Sequence, residues 1–260
     1  MINHIKQWFR LPENEKITSL DDPKTTESHS RIIQSKPILK EIYIKNYKTF
    51  QKVFSQYPDG KFVELGSGGG FIKDVNPTVI TSDVLYLGGI DLCFSGEALP
   101  LKNNSVDVFV MIDVLHHIKN PRKLLNEMNR CLKVNGKIIM IEPANTWWGR
   151  FIYQNFHHEP FDPTAGWNIE GVGPMSNANG ALPWIIFTRD RIQFQKEYPG
   201  FQINSIHYHS PLCYLISGGV SMKQLLPSVI YPLIQVFEIL ISPLNHWLGM
   251  FCKIELQKMY

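Results

Sequence analysis

A carboxylate followed by a glycine-rich turn is the feature of this chain whose residue types and spacing could do chemistry. Residues 61–70 read KFVELGSGGG, an apolar run that ends in Glu64 and breaks at once into glycines. A buried parallel strand delivers its backbone to a small-molecule site in this way, and glycine admits a ligand where a Cβ would block it. A dinucleotide fingerprint would place glycine where Phe71 stands, so the spacing disfavours a dinucleotide-dependent oxidoreductase.

Two further carboxylates end predicted strands downstream. Residues 79–83 read VITSD, a second strand ending in Asp83, and an apolar run from Val106 leads to Asp113 at the end of a fourth strand. Because the carboxyl ends of parallel strands meet at one edge of a sheet, these acids should lie near the glycine turn. Asp83 is well placed to accept hydrogen bonds from a ribose diol.

An ordered set of segments extends this pattern along the chain. They read EALPL at 97–101, SVDVFVMIDVLHH at 105–117 and RCLKVNGKIIMIEP at 130–143. Together with the glycine turn and residues 79–83, the set resembles the class I S-adenosylmethionine-dependent methyltransferases, type 11 small-molecule group, over residues 61–143. The resemblance implies S-adenosylmethionine as the cofactor. It also implies an α/β, Rossmann-like, seven-stranded sheet that is mostly parallel, with an antiparallel last strand and helices on both faces.

The resemblance implies roles for the residues of the cofactor cradle. The glycine turn would approach the amino acid head of the cofactor, Glu64 would hold its ammonium, and Asp83 would hold its ribose hydroxyls. Asp113 would meet the ammonium or face the acceptor. The predicted cofactor-binding residues are Glu64, Gly66, Ser67, Gly68, Gly70, Asp83, Gly96, Glu97 and Asp113.

The chain departs from the family pattern in two places. Ser95 stands where the family often has an acid two residues before the Glu-Ala pair, so Gly96, Glu97 and the neighbouring backbone are left to contact the adenine. Only seven residues separate Asp83 from Asp91, where the family usually has a helix. We expect a loop there.

The two histidines after the fourth strand are the candidate catalytic residues. Methyl transfer is a displacement at carbon, so an in-line arrangement in a dry site supplies most of the catalysis, and a base is needed only when the nucleophile carries a proton. His116 and His117 lie at the edge that faces the donor methyl, and histidine titrates in the useful range. We predict His116 as the first candidate base and His117 as the second. The alternative is that the pair only caps the next turn.

Composition agrees with a single α/β domain carrying an appendage. The chain has 260 residues, 44% of them hydrophobic, and a net charge of +3 without the basic stripe of a nucleic-acid-binding protein. Its four cysteines are scattered without a C-x-x-C pair, which is typical of reduced thiols. We predict a cytoplasmic protein, with the inner face of a membrane as the alternative location.

Periodicity and the implied fold predict the organisation around the core. Pro37 opens one helix, and Asn120-Pro121 starts another that Asn135-Gly136 stops. The sixth and seventh strands would cover 201–208 and 252–258. The predicted regions are a helical lead-in or lid at 1–58 and a methyltransferase domain at 59–260, with insertions at 144–187 and 210–250.

Polar and aromatic residues cluster in the first insertion. His157-His158-Glu159 with Asp162 matches no standard zinc spacing, so we predict no metal site, and lining of a substrate pocket is the alternative role. The tryptophans there form either an acceptor wall or the core of the insertion. They are Trp147, Trp148, Trp167 and Trp184.

Large apolar residues recur at helical spacing across residues 225–251. Three prolines and a few polar residues interrupt the pattern, which disfavours a clean membrane span. Three interpretations stay open: a helix packed on the sheet, a helical hairpin that closes a pocket for a lipid acceptor, and a surface that docks on a bilayer.

The sequence therefore predicts an enzyme that transfers a methyl group from S-adenosylmethionine to a small or lipid-linked acceptor. A non-catalytic regulatory or scaffold protein that binds S-adenosylmethionine is the alternative. The sequence predicts neither the acceptor, nor the atom methylated, nor the oligomeric state.

Overall fold

A seven-stranded sheet runs through the centre of the computed structural model, which describes residues 10–13 and 19–260. The strands are β1 (Phe62–Leu65), β2 (Ile80–Asp83), β3 (Leu92–Cys93), β4 (Val106–Ile112), β5 (Leu132–Pro143), β6 (Phe201–His209) and β7 (Phe251–Lys258). Their order is β3-β2-β1-β4-β5-β7-β6. Strands β1 to β5 pair in parallel, whereas β7 runs antiparallel to β5 and β6. The predicted mostly parallel sheet with an antiparallel last strand is confirmed.

The inner strands are apolar because they are covered on both faces. Every residue of β1 is buried, and Val108 to Met111 of β4 have no exposed surface. A parallel strand in this position reads as a continuous apolar run rather than an alternating one. Because β1, β2, β4 and β5 run parallel, their carboxyl ends meet at one edge of the sheet, and the candidate site lies there.

Ten α-helices and four helical turns accompany the sheet in the described part of the chain. The helices are α1 (Pro23–Ser35), α2 (Pro37–Phe54), α3 (Ile72–Val75), α4 (Pro121–Cys131), α5 (Trp147–Phe156), α6 (Leu182–Trp184), α7 (Arg191–Glu197), α8 (Cys213–Ser217), α9 (Tyr231–Leu240) and α10 (Asn245–Leu248). The turns are Leu115–His117, Ile185–Arg189, Ser228–Ile230 and Ser242–Leu244. As expected, residues 84–90 form no helix.

The predicted end of helix α4 is wrong by several residues. The helix ends at Cys131, and Asn135-Gly136 lies inside β5 instead of stopping the helix. The pairing of β4 with β5 jumps from Val106↔Leu132 to Val108↔Lys137, so the residues between form a bulge. Asn135 has a φ of 66° there, the left-handed conformation that also favours helix ends. The same turn chemistry therefore produced a strand bulge rather than a helix cap.

Helix α1 and helix α2 lie directly against the glycine turn. A Cβ added to Gly69 would come within 2.8 Å of the Ser30 backbone nitrogen of α1. The Tyr47 hydroxyl of α2 accepts the Phe71 N–H at 3.0 Å. Residues 1–9 and 14–18 of the predicted lead-in lie outside the described residues.

The second insertion exposes apolar side chains instead of burying them against the sheet. Within α9 only Tyr231 and Glu238 are buried, while Ile239 is 70% exposed and Trp247 of α10 is 54% exposed. The interpretation of this segment as a helix packed on the sheet therefore does not hold for α9, whereas α10 does contact β6. We call the exposed set the apolar helical surface: Leu233, Val236, Phe237, Ile239, Leu240, Leu244 and Trp247.

Candidate active site

The turn after β1 has the backbone geometry that requires glycine. Gly66 and Gly68 have φ values of 63° and 49°, in the left-handed region that residues with a side chain rarely adopt. A Cβ on Gly66 would overlap the Val114 side chain, and one on Gly70 would lie 2.8 Å from the Ser67 carbonyl oxygen. The turn therefore brings its backbone close to a cavity of about 180 Å³ at the carboxyl edge of the sheet.

Glu64 presents an unpaired carboxylate oxygen at this turn. The side chain is buried, and its Oε2 atom has no hydrogen-bond partner among the described residues. Burial raises the pKa of Glu64 to about 7, although a hydrogen bond from Ser67 opposes the shift. A buried acceptor without a donor is costly for the protein alone. A cationic ligand such as an ammonium group would satisfy it.

Asp113 is a second acid on the same cavity. It has a φ of 56°, which places a non-glycine residue in the left-handed region directly after β4. Burial raises the pKa of Asp113 to about 7, with His116 opposing the shift. Two carboxyl groups with raised pKa values therefore face one cavity, as is common at functional sites.

A second cavity adjoins the first on the side of β2. Gly66, Gly68, Asp113 and His117 line both cavities. Asp83 lines the second, where its Oδ2 accepts the Gly68 N–H at 2.8 Å and its Oδ1 accepts the Leu85 N–H at 2.9 Å. A carboxylate has about four lone-pair sites, so acceptor capacity remains for a ligand hydroxyl.

The far wall of the second cavity is apolar and suits a flat ring. Gly96 lies on this wall without a side chain. The apolar side chains around it are Leu65, Val84, Phe94, Val114, Ile118 and Leu124.

The structure places eight of the nine predicted cofactor-binding residues on these cavities. Glu97 lines neither: its Oε1 accepts the Asn120 N–H at 3.0 Å, and its Oε2 lies 3.4 Å from the Lys123 Nζ. It therefore supports the start of α4. The individual cofactor contacts stay predictions, and for Glu97 the geometry favours a structural role.

Glu142, at the end of β5, fixes the turn that carries the two histidines. It has no exposed surface, and its Oε1 accepts the N–H groups of Val114 and Leu115 at 3.0 and 2.7 Å. Its Oε2 lies 2.7 Å from His116 Nδ1. This carboxylate thus holds both the backbone of the turn and one of its rings. No role was predicted for Glu142, although its place beside β4 at the carboxyl edge was a usable signal.

Glu159 approaches the same histidines from the first insertion. Its Oε2 lies 3.4 Å from His116 Nε2, and its Oε1 lies 3.6 Å from His117 Nε2. Burial would lower the pKa of His116, but the two carboxylates outweigh burial and raise it well above its usual range. Burial, followed by the charge of His116, lowers the pKa of His117 to about 4.

These contacts bear on the predicted roles of the polar residues. Both nitrogens of His116 face carboxylates, so the geometry does not favour it as a free general base, and the base role stays a prediction. His157, His158 and Glu159 line the first cavity, as the pocket-lining alternative expected. Asp162 instead accepts the Thr164 N–H and hydroxyl.

The tryptophans of the first insertion do not form an acceptor wall. Trp167 is buried in the core, and Trp147 is 72% exposed. None of the four lines either cavity.

Replacing Glu64 with glutamine tests how much the buried, ionised carboxylate lowers the free energy of unfolding. In the folded protein the pKa of Glu64 is about 7, against 4.5 for the unfolded chain. Ionisation of the buried carboxylate therefore does not lower the free energy of unfolding below about pH 4.5 and lowers it fully above about pH 7. Relative to wild type, Glu64→Gln should therefore gain unfolding free energy between about pH 5 and pH 8, by up to about 3 kcal/mol. Chemical denaturation of the ligand-free proteins measures this gain. Glu170→Gln, at an exposed position, is the control and should give no comparable gain, while a pH-independent difference for Glu64→Gln would contradict the account.

Comparisons with known proteins agree with this geometry. Residues 73–140 match the family model of a methyltransferase domain. An uncharacterized protein of Methanocaldococcus jannaschii is 35% identical over 91 residues, which cover 32% of this chain and 44% of that protein. An uncharacterized methyltransferase of Mycobacteroides abscessus is 26% identical over 138 residues, 52% of each chain. The alignments thus span about half the length of these curated relatives.

A solved structure from Thermotoga maritima, a SAM-dependent methyltransferase described as a possible histamine N-methyltransferase, is also similar. It is 17% identical, with a TM-score of 0.48, and the alignment covers 88% of this chain and 99% of that one. A likeness at this level says nothing about the substrate. The match to the family model runs from α3 into β5, and it includes β2, β3 and β4 but neither β1 nor the glycine turn. Over that part of the sheet the chain is similar to a methyltransferase domain, in agreement with its motifs.

Proposed function

We propose that this protein transfers a methyl group from S-adenosylmethionine to an acceptor bound beside the histidine turn. The observation that carries the proposal is the unpaired Glu64 Oε2 on a glycine-lined cavity that also contains His116 and Glu159. A cofactor cradle alone would equally suit a regulatory protein that binds S-adenosylmethionine. The buried polar cluster on the same cavity favours catalysis.

The two cavities offer a complementary group for each part of the cofactor. Glu64 and Asp113 would hold the ammonium, the glycine turn would accommodate the amino acid head, and Asp83 would accept hydrogen bonds from the ribose hydroxyls. The apolar wall around Gly96 would hold the adenine. When bound, S-adenosylmethionine supplies a methyl group on a positively charged sulfur.

The acceptor side of the first cavity is walled by aromatic rings. Tyr43, Tyr153, Phe161 and Tyr214 line it, and the last three come from the two insertions. Such rings exclude water and attract a cation to their faces. They would hold the acceptor in line with the methyl group, which is the main requirement of a displacement at carbon.

The N-terminal helices would act as a lid over this cavity. Thr26 and His29 of α1 line it, and Asp21 Oδ1 accepts the N–H groups of Met175 and Ser176 from the first insertion at 2.7 and 3.1 Å. We therefore retain the division into a lid at 1–58 and a methyltransferase domain at 59–260 as part of the proposal.

For the acceptor we favour a lipid-linked molecule reached at a bilayer. Among the described residues no single helix is long and apolar enough to cross a membrane. Ser228–Leu240 and Ser242–Leu248 together have the length and hydropathy of a span, but they are bent by 63°. Residues 225–251 contain one ionisable acid, Glu238, and it is buried. An apolar surface free of exposed acids is suited to lying in a bilayer interface, where Trp247 is also favoured.

Glu238 links the apolar helical surface to the cavity. Its Oε1 accepts the N–H groups of Leu212 and Cys213 at 2.8 and 2.7 Å, at the start of α8. Tyr214 of α8 lines the acceptor side of the first cavity. A bilayer that contacts α9 would therefore lie one helix away from the acceptor wall. The predicted location stays the cytoplasm, and this proposal favours the alternative, the inner face of a membrane.

Calorimetry tests the cofactor assignment. The wild-type protein should bind S-adenosylmethionine and S-adenosylhomocysteine but not NAD. Asp83→Ala should weaken S-adenosylhomocysteine about 10- to 100-fold, because hydrogen bonds to a charged group are lost. Asp107→Ala is the matched control, since Asp107 also accepts a backbone N–H, from Lys61, at the opposite edge of the sheet. Equal affinity for NAD, or an equal loss in the control, would contradict the assignment.

Co-sedimentation with phosphatidylcholine vesicles tests the membrane contact. Wild-type protein should pellet with vesicles, and Phe237→Glu with Trp247→Glu should abolish this because carboxylates on the apolar face are costly to bury at the acyl boundary. Affinity for S-adenosylhomocysteine should not change, since the cradle lies on β1, β2 and β4. Ile192→Glu is the control, because Ile192 is 81% exposed on α7, outside the apolar helical surface. Wild-type protein that stays in the supernatant would refute the contact.

A further inference from the structure

The two histidines after β4 have ring nitrogens whose protonation is fixed by their neighbours. His116 Nδ1 lies 2.7 Å from the Glu142 carboxylate, and His117 Nδ1 lies 3.2 Å from the Asn177 carbonyl oxygen. Both partners can only accept, so each Nδ1 must carry a hydrogen. In the neutral rings, Nε2 of each histidine therefore holds a lone pair.

Both Nε2 atoms face one carboxylate, that of Glu159. The His116 Nε2 to Glu159 Oε2 distance is 3.4 Å, and the His117 Nε2 to Glu159 Oε1 distance is 3.6 Å. These separations are long for hydrogen bonds. They match the spacing of about 3.4 Å expected between donor atoms that each lie about 2.1 Å from one tetrahedral metal ion.

We propose that His116 Nε2, His117 Nε2 and the Glu159 carboxylate bind one divalent first-row transition-metal ion on the acceptor side of the cavity. The ligand atoms lie within 4.8 Å of one another, so small side-chain movements bring them to one centre. Two imidazoles with one carboxylate favour zinc-like ions over magnesium or calcium, which prefer oxygen ligands.

The outer contacts of the cluster are those that metal-bound histidines usually have. Such a histidine donates its second N–H to a carboxylate or a backbone carbonyl, which fixes its orientation and raises its basicity. Glu142 and Asn177 occupy these two positions. Glu142 is itself held by the Val114 and Leu115 N–H groups, so the arrangement is rigid before any ion binds.

Charge also favours a cation here. The Glu142 and Glu159 carboxylates face each other across the His116 ring, and Asp113 is close to His116 and Glu142. Buried carboxylates need compensation, which the proton of His116 supplies without an ion, as its raised pKa shows, and a divalent ion would replace that proton.

The other two histidines near Glu159 are less suited as ligands. His157 Nδ1 accepts the Glu159 N–H at 3.3 Å, and the side chain of His158 is 45% exposed.

Three protein ligands would leave a coordination position open toward the cavity. An acceptor with an oxygen that ligates metals, such as a hydroxyl or carboxylate, would be oriented there. This role in acceptor binding rests on the proposed methyl transfer, whereas ion binding itself does not.

Calorimetric titration of tag-free, chelator-treated protein with zinc chloride tests the site. Wild-type protein should bind one zinc ion per chain, and Mg²⁺ should not compete at equal concentration. His117→Ala and Glu159→Gln should each weaken zinc at least about 10-fold, and Glu142→Gln should weaken it about 10- to 100-fold. His207→Ala, on the exposed side of β6, should leave zinc binding unchanged.

Binding of S-adenosylhomocysteine by each variant separates loss of the site from loss of the fold. The proposal is overturned if folded wild-type protein binds no stoichiometric zinc, or if His117→Ala and Glu159→Gln bind zinc as wild type does. It is also overturned if His207→Ala loses as much zinc affinity as His117→Ala and Glu159→Gln do. A protein that binds zinc but no S-adenosylhomocysteine would instead refute the proposed function and leave the metal site standing.

Discussion

The buried carboxylate of Glu142 is the interaction on which the candidate active site depends. It has no exposed surface and accepts two backbone N–H groups and one ring N–H from residues 114–116. Charge-assisted hydrogen bonds of this kind are strong, and removing one partner would leave a buried charge uncompensated. The carboxyl end of β5 therefore determines where the end of β4 presents its histidines.

A second constraint is the electrostatic cost of burying two acids, Glu64 and Asp113, beside the glycine turn. Glu64 and Asp113 both have pKa values raised to about 7 by burial, and one oxygen of Glu64 is unpaired. A fold optimised for stability alone would not retain two such acids. A bound cation converts the cost into binding energy, and this explains why the acids stand at the edge where the two cavities join.

Local sequence was sufficient to predict most of the polar residues that line the two cavities. The glycine turn, Asp83 and Asp113 each follow a short apolar strand, and parallel pairing alone brings such strand ends together. Glu97 shows the limit of this reasoning, because Gly96 beside it lines a cavity while its own carboxylate accepts the Asn120 N–H. The helix end at Cys131 was missed because the left-handed conformation that Asn135 adopts occurs at strand bulges as well as at helix ends.

The acceptor side could not be predicted because its contacts join distant segments. Glu142 and Glu159 meet the same ring from β5 and from the first insertion, and no spacing rule relates them to His116. The periodicity of residues 225–251 predicted helices correctly but could not show what covers them. Their exposure became visible only in the folded chain.

A crystal structure of the complex with S-adenosylhomocysteine tests the central claim most directly. The account predicts the ligand across both cavities, with its ammonium within hydrogen-bond distance of Glu64 Oε2, its ribose hydroxyls on Asp83 and its adenine beside Gly96. A ligand bound elsewhere, or one that leaves Glu64 Oε2 without a partner, would contradict it.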